Sequence, residues 1–113
     1  MTNQEVITRA RDLIFDTVAT YRHDNKKLCR YLSDGIRALV GRRPESMFTG
    51  DDVTTTAPVE VETGDLSSDL QVLAQYGEDL AQFVGFRVFS EDTEDTGNLK
   101  RAMALQPWFA RGT

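Results

Sequence analysis

Hydrophobic residues recur at intervals of three and four along most of the chain, with charged residues between them. This is the pattern of amphipathic α-helices, in which one apolar face is turned toward a core. The pattern predicts four helices, over residues 3–19, 25–41, 67–90 and 93–106. We therefore expect an all-α fold, a small four-helix bundle formed by a single domain over residues 1–113.

Short polar side chains stand where the predicted helices begin. Thr2 or Asn3 can cap the first helix, Asp24 or Asn25 the second, and Ser67 or Ser68 the third. Such side chains accept hydrogen bonds from the backbone N–H groups that the first helical turn leaves unpaired. These residues therefore support the predicted starting points.

The apolar faces of the second and fourth helices lead to specific expectations. Gly35 lies on the apolar face of the second helix, where glycine costs about 1 kcal/mol relative to alanine. A close approach of the first helix would explain it. On the fourth helix, the residues expected to face inward are Leu99, Ala102, Met103 and Gln106.

Residues 45–66 lose the helical period and are rich in Gly, Asp, Thr and Pro. The stretches "DDVTTT" and "PVEVET" suit a short β-hairpin, which Pro58 would confine to a sheet edge. An exposed loop is equally compatible with this composition.

After the fourth helix, Pro107 is expected to end the helical pattern and leave residues 107–113 as a separate tail.

Charge is distributed very unevenly along the chain. Residues 1–43 contain nine Lys or Arg and five Asp or Glu, whereas residues 44–98 contain one and thirteen, within an overall net charge of −5. These charges form either simple solvated faces or complementary surfaces through which the basic half of one copy meets the acidic half of the next. Head-to-tail contacts of the second kind build rings. The candidate subunit contacts are Arg37, Arg42, Arg43, Asp51 and Asp52.

The residue types needed for common chemistry are scarce. Cys29 is the only cysteine and His23 the only histidine, so neither a disulfide nor a histidine-based metal cluster can form within one chain. No nucleotide-binding or nucleophile motif is present, and we expect no enzyme activity and no cofactor. The single cysteine favours a reducing compartment, and a buried structural cysteine is the more common situation.

Four acids lie between Glu91 and Asp95, and Gly97 follows at the spacing of a calcium-binding loop. The twelfth position of that loop must be glutamate, but here it is Met103, so the match fails. A joint between two helices fits better, because acids favour the N-terminal end of the following helix. We expect Asp92, Thr93 or Asp95 to cap it.

Two further features leave alternatives open. The basic stretch "GRRP" at residues 41–44 can end a helix favourably, contact an acidic protein surface or contact nucleic acid. Trp108 and Phe109 can close the end of the bundle or bind in a partner's pocket.

The apolar runs are too short for a membrane span, and the first ten residues do not resemble a signal peptide.

Three stretches together resemble a known protein family. The first is "VITRARDLIFDTVATYRHDNKKL", and the second, "LCRYLSDGIRALVGRRPESMF", ends in an Arg-x-Pro-type exit. The third, "YGEDLAQFVGFRVFSEDTEDTGNLKRAMALQPWF", has a late aromatic run, an acidic joint and an Asn- and Ala-bearing last helix. In order, spacing and composition they resemble the head–tail connector proteins of tailed bacteriophages, also called adaptor or head-completion proteins.

The resemblance implies a structural virion protein. Such proteins are small helical bundles that form a ring, typically of twelve copies, docked under the portal protein of the capsid. The ring extends the channel through which genomic DNA passes without sequence-specific binding, and it offers a surface to a tail or nozzle protein. The implied location is the phage neck, with assembly in the host cytoplasm. Portal contact would then fall to the tail residues Trp108, Phe109 and Arg111.

An alternative is a small helical regulatory or DNA-binding protein that uses the basic segment 25–43. A helix-turn-helix would require a turn of three or four residues before its recognition helix. Here about twenty irregular residues of net negative charge follow the basic helix instead, which argues against that motif.

Overall fold

The computed structural model describes residues 1–14, 23–43, 58, 60–72, 74–91 and 96–107, with the backbone alone at 96–99. Within this part of the chain there are four α-helices: α1 (Asn3–Leu13), α2 (Asn25–Arg42), α3 (Gly77–Ser90) and α4 (Thr96–Leu105). Two short 3-10 helices, Thr63–Asp65 and Ala74–Tyr76, lie between α2 and α3. The predicted small all-α bundle of four helices is confirmed.

The first two helices begin at the predicted capping residues. The Thr2 hydroxyl accepts a hydrogen bond from the Glu5 backbone N–H (3.3 Å), and the Glu5 carboxylate accepts one from the Thr2 N–H (3.4 Å). This reciprocal pair is a capping box. At α2, the Asp24 carboxylate accepts from the Lys27 N–H at 2.8 Å. In both cases a local side chain satisfies backbone donors that the helix itself leaves unpaired.

Helix α3 lies at the centre of the bundle and packs against each of the other three helices. The side chains that meet around it are fully buried, as the sequence pattern predicts for α1, α2 and α3. They are Val6, Ile7, Leu28, Leu32, Ile36, Leu39, Leu80 and Val84. A helix with neighbours on three sides must be apolar around most of its circumference, which is why Phe83 and Val88 are also buried.

The start of α3 differs from the prediction, since the helix begins at Gly77 and not at residue 67. The Leu70 N–H donates to the Met1 carbonyl (2.8 Å), and Asp69 forms an isolated antiparallel bridge with Thr2. These contacts with the N-terminus satisfy the backbone without a helix and still bury Leu70. The apolar spacing therefore identified buried residues correctly but assigned them the wrong backbone conformation.

The expected partner of Gly35 is also corrected. A Cβ atom at Gly35 would lie 2.8 Å from Cδ1 of Phe83 and 3.3 Å from Cδ2 of Leu80. Both of those side chains belong to α3, so the glycine allows close approach of α3 and not of α1. The sequence showed that something approaches this face closely, but not which helix it is.

The inward face of α4 is only partly as predicted. Ala102 is 1% exposed and faces the core, whereas Met103 is 64% exposed. Leu105, three residues after Ala102, approaches α3 instead, with its Cδ1 2.9 Å from where a Cβ of Gly85 would lie. Gln106 is half-buried, and the Leu99 side chain lies outside the described residues. Met103 was misassigned because a ten-residue helix presents only a narrow stripe to its neighbour.

Several boundary predictions fall wholly or partly outside the described residues. Helix α1 ends at Leu13, and residues 15–19 of its predicted range are not among those described. The same holds for the predicted caps of α4 at 92–95 and for 44–57, where a hairpin or loop was left open. Within 60–66 the structure contains a 3-10 turn and no β-strand.

Polar side chains fasten the 60–70 segment to the helices. The Ser33 hydroxyl, 2% exposed, accepts from the Val61 N–H (2.8 Å) and donates to the Cys29 carbonyl (2.9 Å). The Asn3 side chain, also buried, donates to the Asp65 carbonyl at 3.0 Å. Because both sites are shielded from water, losing one partner would leave a buried polar group unpaired. These bonds therefore hold the 60–70 segment against α1 and α2.

We expect Gly35→Ala to destabilise the protein. The added methyl group would overlap Phe83, and overpacking costs about 1–3 kcal/mol, against a gain of about 1 kcal/mol in helix propensity. Chemical denaturation measures the difference. Gly41→Ala is the matched control, because nothing lies within 4 Å of its Cβ position and it should be neutral or stabilising. Equal stabilisation by both substitutions would show that α2 and α3 are not in close contact at Gly35.

Ser33→Ala should lower the free energy of unfolding by about 1–3 kcal/mol, because the buried Val61 N–H loses its acceptor. Urea denaturation gives the value. Ser67→Ala, at an exposed position, serves as the control and should stay within about 0.5 kcal/mol of the original chain. Hydrogen exchange at the Val61 amide should accelerate in Ser33→Ala alone; unchanged exchange there would contradict the assigned bond.

Candidate functional site

The basic residues predicted to contact other subunits gather at the C-terminal end of α2. Arg42 is the last residue of the helix, Arg43 is its C-cap, and both side chains are exposed, as is Arg37 one turn earlier. Positive side chains at this end are stabilised by the partial negative charge of the helix terminus. Arg37, Arg42 and Arg43 therefore lie within the last two turns of α2 and its C-cap.

The remaining candidates of the sequence analysis lie outside the described residues. These are Asp51 and Asp52, proposed as subunit contacts, and Trp108, Phe109 and Arg111, proposed as portal contacts. Their roles remain predictions. The last described residue, Pro107, is buried, so the tail starts from a position fixed against the helices.

Acidic residues dominate the segment between α2 and α3. Glu60, Glu62 and Asp69 are exposed there, and residues 60–79 contain no Lys or Arg. Glu78, at the start of α3, instead pairs with Arg9 of α1 in a two-point contact with N–O distances of 2.9 and 3.0 Å. The segment of residues 60–79 is thus acidic, whereas the end of α2 is basic.

An ionic and aromatic network joins the outer faces of α2 and α3. Asp34 accepts from Arg37 on its own helix and from Arg87 on α3, at 3.3 Å in each case. The Arg87 guanidinium also stacks on the Tyr31 ring, 4.9 Å from its centre, where a cation–π attraction adds to the ion pair. Arg37, one of the predicted subunit contacts, is therefore already paired with Asp34 within the chain.

Sequence reasoning did not identify this network. One signal was available: Arg87 is the only basic residue among the thirteen acids of residues 44–98, on a helix that is otherwise apolar in its second half. A single positive charge on the apolar half of a helix indicates that it has a specific partner. That the partner would be Asp34 depends on how α2 and α3 pack.

Glu91, the first residue of the acidic joint, connects the end of α3 to the start of α2. Its carboxylate accepts hydrogen bonds from Lys27 Nζ (2.6 Å) and from the Tyr31 hydroxyl, while Lys27 Nζ also lies 3.1 Å from Nδ1 of His23. Glu91 therefore holds the end of α3 to the first turns of α2.

The environment of this cluster moves two pKa values. Burial raises the pKa of Tyr31 to about 12, and the hydrogen bond to Glu91 acts in the same direction. For Glu91, burial acts to raise the pKa, but the hydrogen bonds from Lys27 and Tyr31 outweigh it and the pKa is lowered. The pair is thus a neutral phenol donating to a carboxylate over a wide range of pH.

Cys29 and His23 do not form a reactive pair. Cys29 is buried in α2, and burial together with the nearby charge of Asp65 raises the pKa of its thiol. His23 lies before α2, where its ring meets Lys27 and its carbonyl accepts from Arg11 (2.9 Å). The interpretation of Cys29 as a buried cysteine is confirmed.

Other kinds of site can be checked only in part. In the described ranges, no group of three His, Cys, Asp or Glu side chains is placed to hold a metal ion. Across the same residues, none of the helices has the length and apolar character needed to cross a membrane.

Comparison with known proteins gave no assignment. The chain matched no family model, and no similar protein was found among curated sequences or among solved structures. Fold and surface thus define a class, a small four-helix protein with segregated charges, and the function must be argued from those surfaces.

We expect Glu91→Gln to reduce stability by about 0.5–1 kcal/mol near neutral pH, as for other ion pairs that are partly exposed. Because the pKa of Glu91 is lowered on folding from an ordinary value of 4.5, its contribution is present above that pH and disappears as the pH falls through the lowered value. The difference in stability between the two chains should therefore disappear in acid, once the pH is below the lowered pKa of Glu91. Urea denaturation near neutral pH and in acid measures this.

Glu60→Gln is the control for that experiment, because this exposed carboxylate takes no part in the hydrogen bonds of Lys27, Tyr31 and Glu91. It should change stability by less than about 0.5 kcal/mol at either pH. A loss in Glu91→Gln that is the same at both pH values would show that the charge of the carboxylate does not hold α2 and α3 together.

Proposed function

We propose that this protein is a structural head–tail connector of a tailed bacteriophage. Copies of the chain would form a ring under the portal, extend the DNA channel and provide the attachment surface for a tail or nozzle protein. The proposal begins from the family resemblance of the three sequence stretches, and one structural observation supports it: exposed arginines at the end of α2 and exposed acids before α3 belong to different parts of a small, compact bundle.

The support from charge is geometric. The end of α2 exposes Arg37, Arg42 and Arg43, and the segment before α3 exposes Glu60, Glu62 and Asp69. Two unlike surfaces on one chain make a heterologous contact possible, and such contacts close into rings when the rotation between copies permits. Electrostatic complementarity of this type sets the orientation of the partners more than it sets affinity.

The position of the tail is consistent with a second contact. Helix α4 ends at Leu105, Gln106 is half-buried and Pro107 is buried. Trp108 and Phe109 thus follow directly from a fixed point on the bundle, as an anchor into a portal pocket would require. Large aromatic residues are the usual anchors of such interfaces.

The direct test is the size of the assembly in solution, measured by light scattering and electron microscopy, with and without the portal protein of the same phage. We expect small particles from the chain alone and a closed ring on the portal. Arg42→Glu with Arg43→Glu should prevent the ring, because acidic surfaces would then face each other. Adding Asp51→Arg and Asp52→Arg to the same chain should restore it.

Lys100→Glu is the matched control, because it reverses one exposed charge on α4, a helix that contains none of the proposed subunit contacts, and should leave the ring intact. Absence of any ring on the portal would overturn the proposal. A compact dimer that retards a specific DNA fragment would instead establish the regulatory alternative built on residues 25–43.

A further inference from the structure

A cleft of about 370 Å³ lies between α2 and the segment that precedes the first 3-10 helix. One wall is formed by Lys26 and Arg30 of α2, the other by Glu60 and Glu62, and the buried residues Cys29 and Val61 also line it. This volume is at the lower end of the range for ligand-binding pockets. A cleft with opposite charges on its two walls is an unusual surface for so small a domain.

The charges on each wall are regularly spaced. Lys26 and Arg30 are four residues apart on one helix, so they lie on the same face with about 6 Å between them. On the other wall, Val61 is buried between the exposed Glu60 and Glu62, and Glu62 has an extended backbone (φ −110°, ψ 169°). Alternate residues of an extended chain point to the same side, so the two acids form a matching pair.

The two walls are held at a fixed separation. The buried Ser33 hydroxyl bonds both the Val61 N–H and the Cys29 carbonyl, which ties the acidic wall to α2 at the level of the two lining residues. Among the described residues, no ion pair joins Lys26 or Arg30 to Glu60 or Glu62 across the cleft. All four side chains are exposed, so a ligand that lies in the cleft can reach them.

We propose that this cleft binds an extended peptide segment of a partner protein in which an acidic and a basic residue are adjacent. Successive side chains of an extended chain point in opposite directions. The acidic side chain would therefore meet Lys26 and Arg30 while its basic neighbour meets Glu60 and Glu62. The Thr63 hydroxyl, at the edge of the cleft, adds a donor and acceptor for the peptide backbone.

Other ligand classes fit this cleft less well. Nucleic acid would place phosphates against Glu60 and Glu62, and a segment with charges of one sign would be attracted by one wall and repelled by the other. The basic wall, Lys26 and Arg30, is separate from the arginines to which ring formation is assigned, whereas Glu60 and Glu62 also belong to the acidic surface of the proposed ring contact. The substitutions on the basic wall therefore test this inference apart from the connector proposal.

The probe is a blocked tetrapeptide with aspartate and lysine at its centre and alanine on either side, titrated into the full ¹⁵N-labelled chain. Two comparison peptides contain only aspartate or only lysine at the centre. We expect amide signals around Cys29 and Val61 to shift, with the mixed peptide binding about tenfold more tightly than either comparison peptide. An oligonucleotide of thymidine should not compete.

Two paired variants test the walls separately. Lys26→Gln with Arg30→Gln, and Glu60→Gln with Glu62→Gln, should each weaken binding of the mixed peptide about five- to tenfold. Lys100→Gln is the control and should leave the affinity unchanged. All variants should keep the unfolding midpoint of the original chain, because the substituted side chains are exposed.

Three results would overturn the proposal. They are equal affinity for the doubly acidic peptide, signal changes confined to residues away from the cleft, and unaltered binding after either pair of wall substitutions. Ring formation on the portal is an independent measurement. A chain with Lys26→Gln and Arg30→Gln that assembles normally but no longer binds the peptide would separate this inference from the connector function.

Discussion

The close approach of α3 to its neighbours is the constraint on which the rest of the structure depends. Gly35 of α2 and Gly85 of α3 lie at helix contacts where a side chain would collide, with Phe83 in the first case and Leu105 in the second. Removing the side chain at these points lets the helices pack at short range, where dispersion contacts are strongest. A single apolar helix can then serve as the core for three amphipathic ones.

Because the core is organised around α3, the ion pairs of this helix and its C-cap Glu91 lie at its two ends and on its exposed side. Arg9 and Glu78 join α1 to the start of α3, and Lys27 and Glu91 join α2 to its end. Between them, Arg87 bridges to Asp34. Pairs of this kind are individually weak when exposed, but they fix the rotation of α3 between its neighbours. That rotation decides which charges remain on the surface for other molecules.

The irregular segment between α2 and α3 has a structural role that its polar composition does not predict. Ser33 and Asn3 bind its backbone in sites shielded from water, and its Val61, Leu70 and Val72 are buried. The acids between these anchors are thereby presented outward, beside the basic face of α2. One segment thus completes the core and forms both the acidic surface of the proposed ring contact and one wall of the cleft.

The sequence by itself determined the helical class, the caps at Thr2 and Asp24, and the buried faces of α1 and α2, because these follow from local spacing and local hydrogen bonds. It also determined that charge is segregated. Only the tertiary structure decided that α3 starts at Gly77, that Gly35 faces α3, that Met103 is exposed and that Asp34 meets Arg87. Each of these depends on contacts between residues far apart in the chain, and local periodicity contains no information about which distant surface will cover a given face.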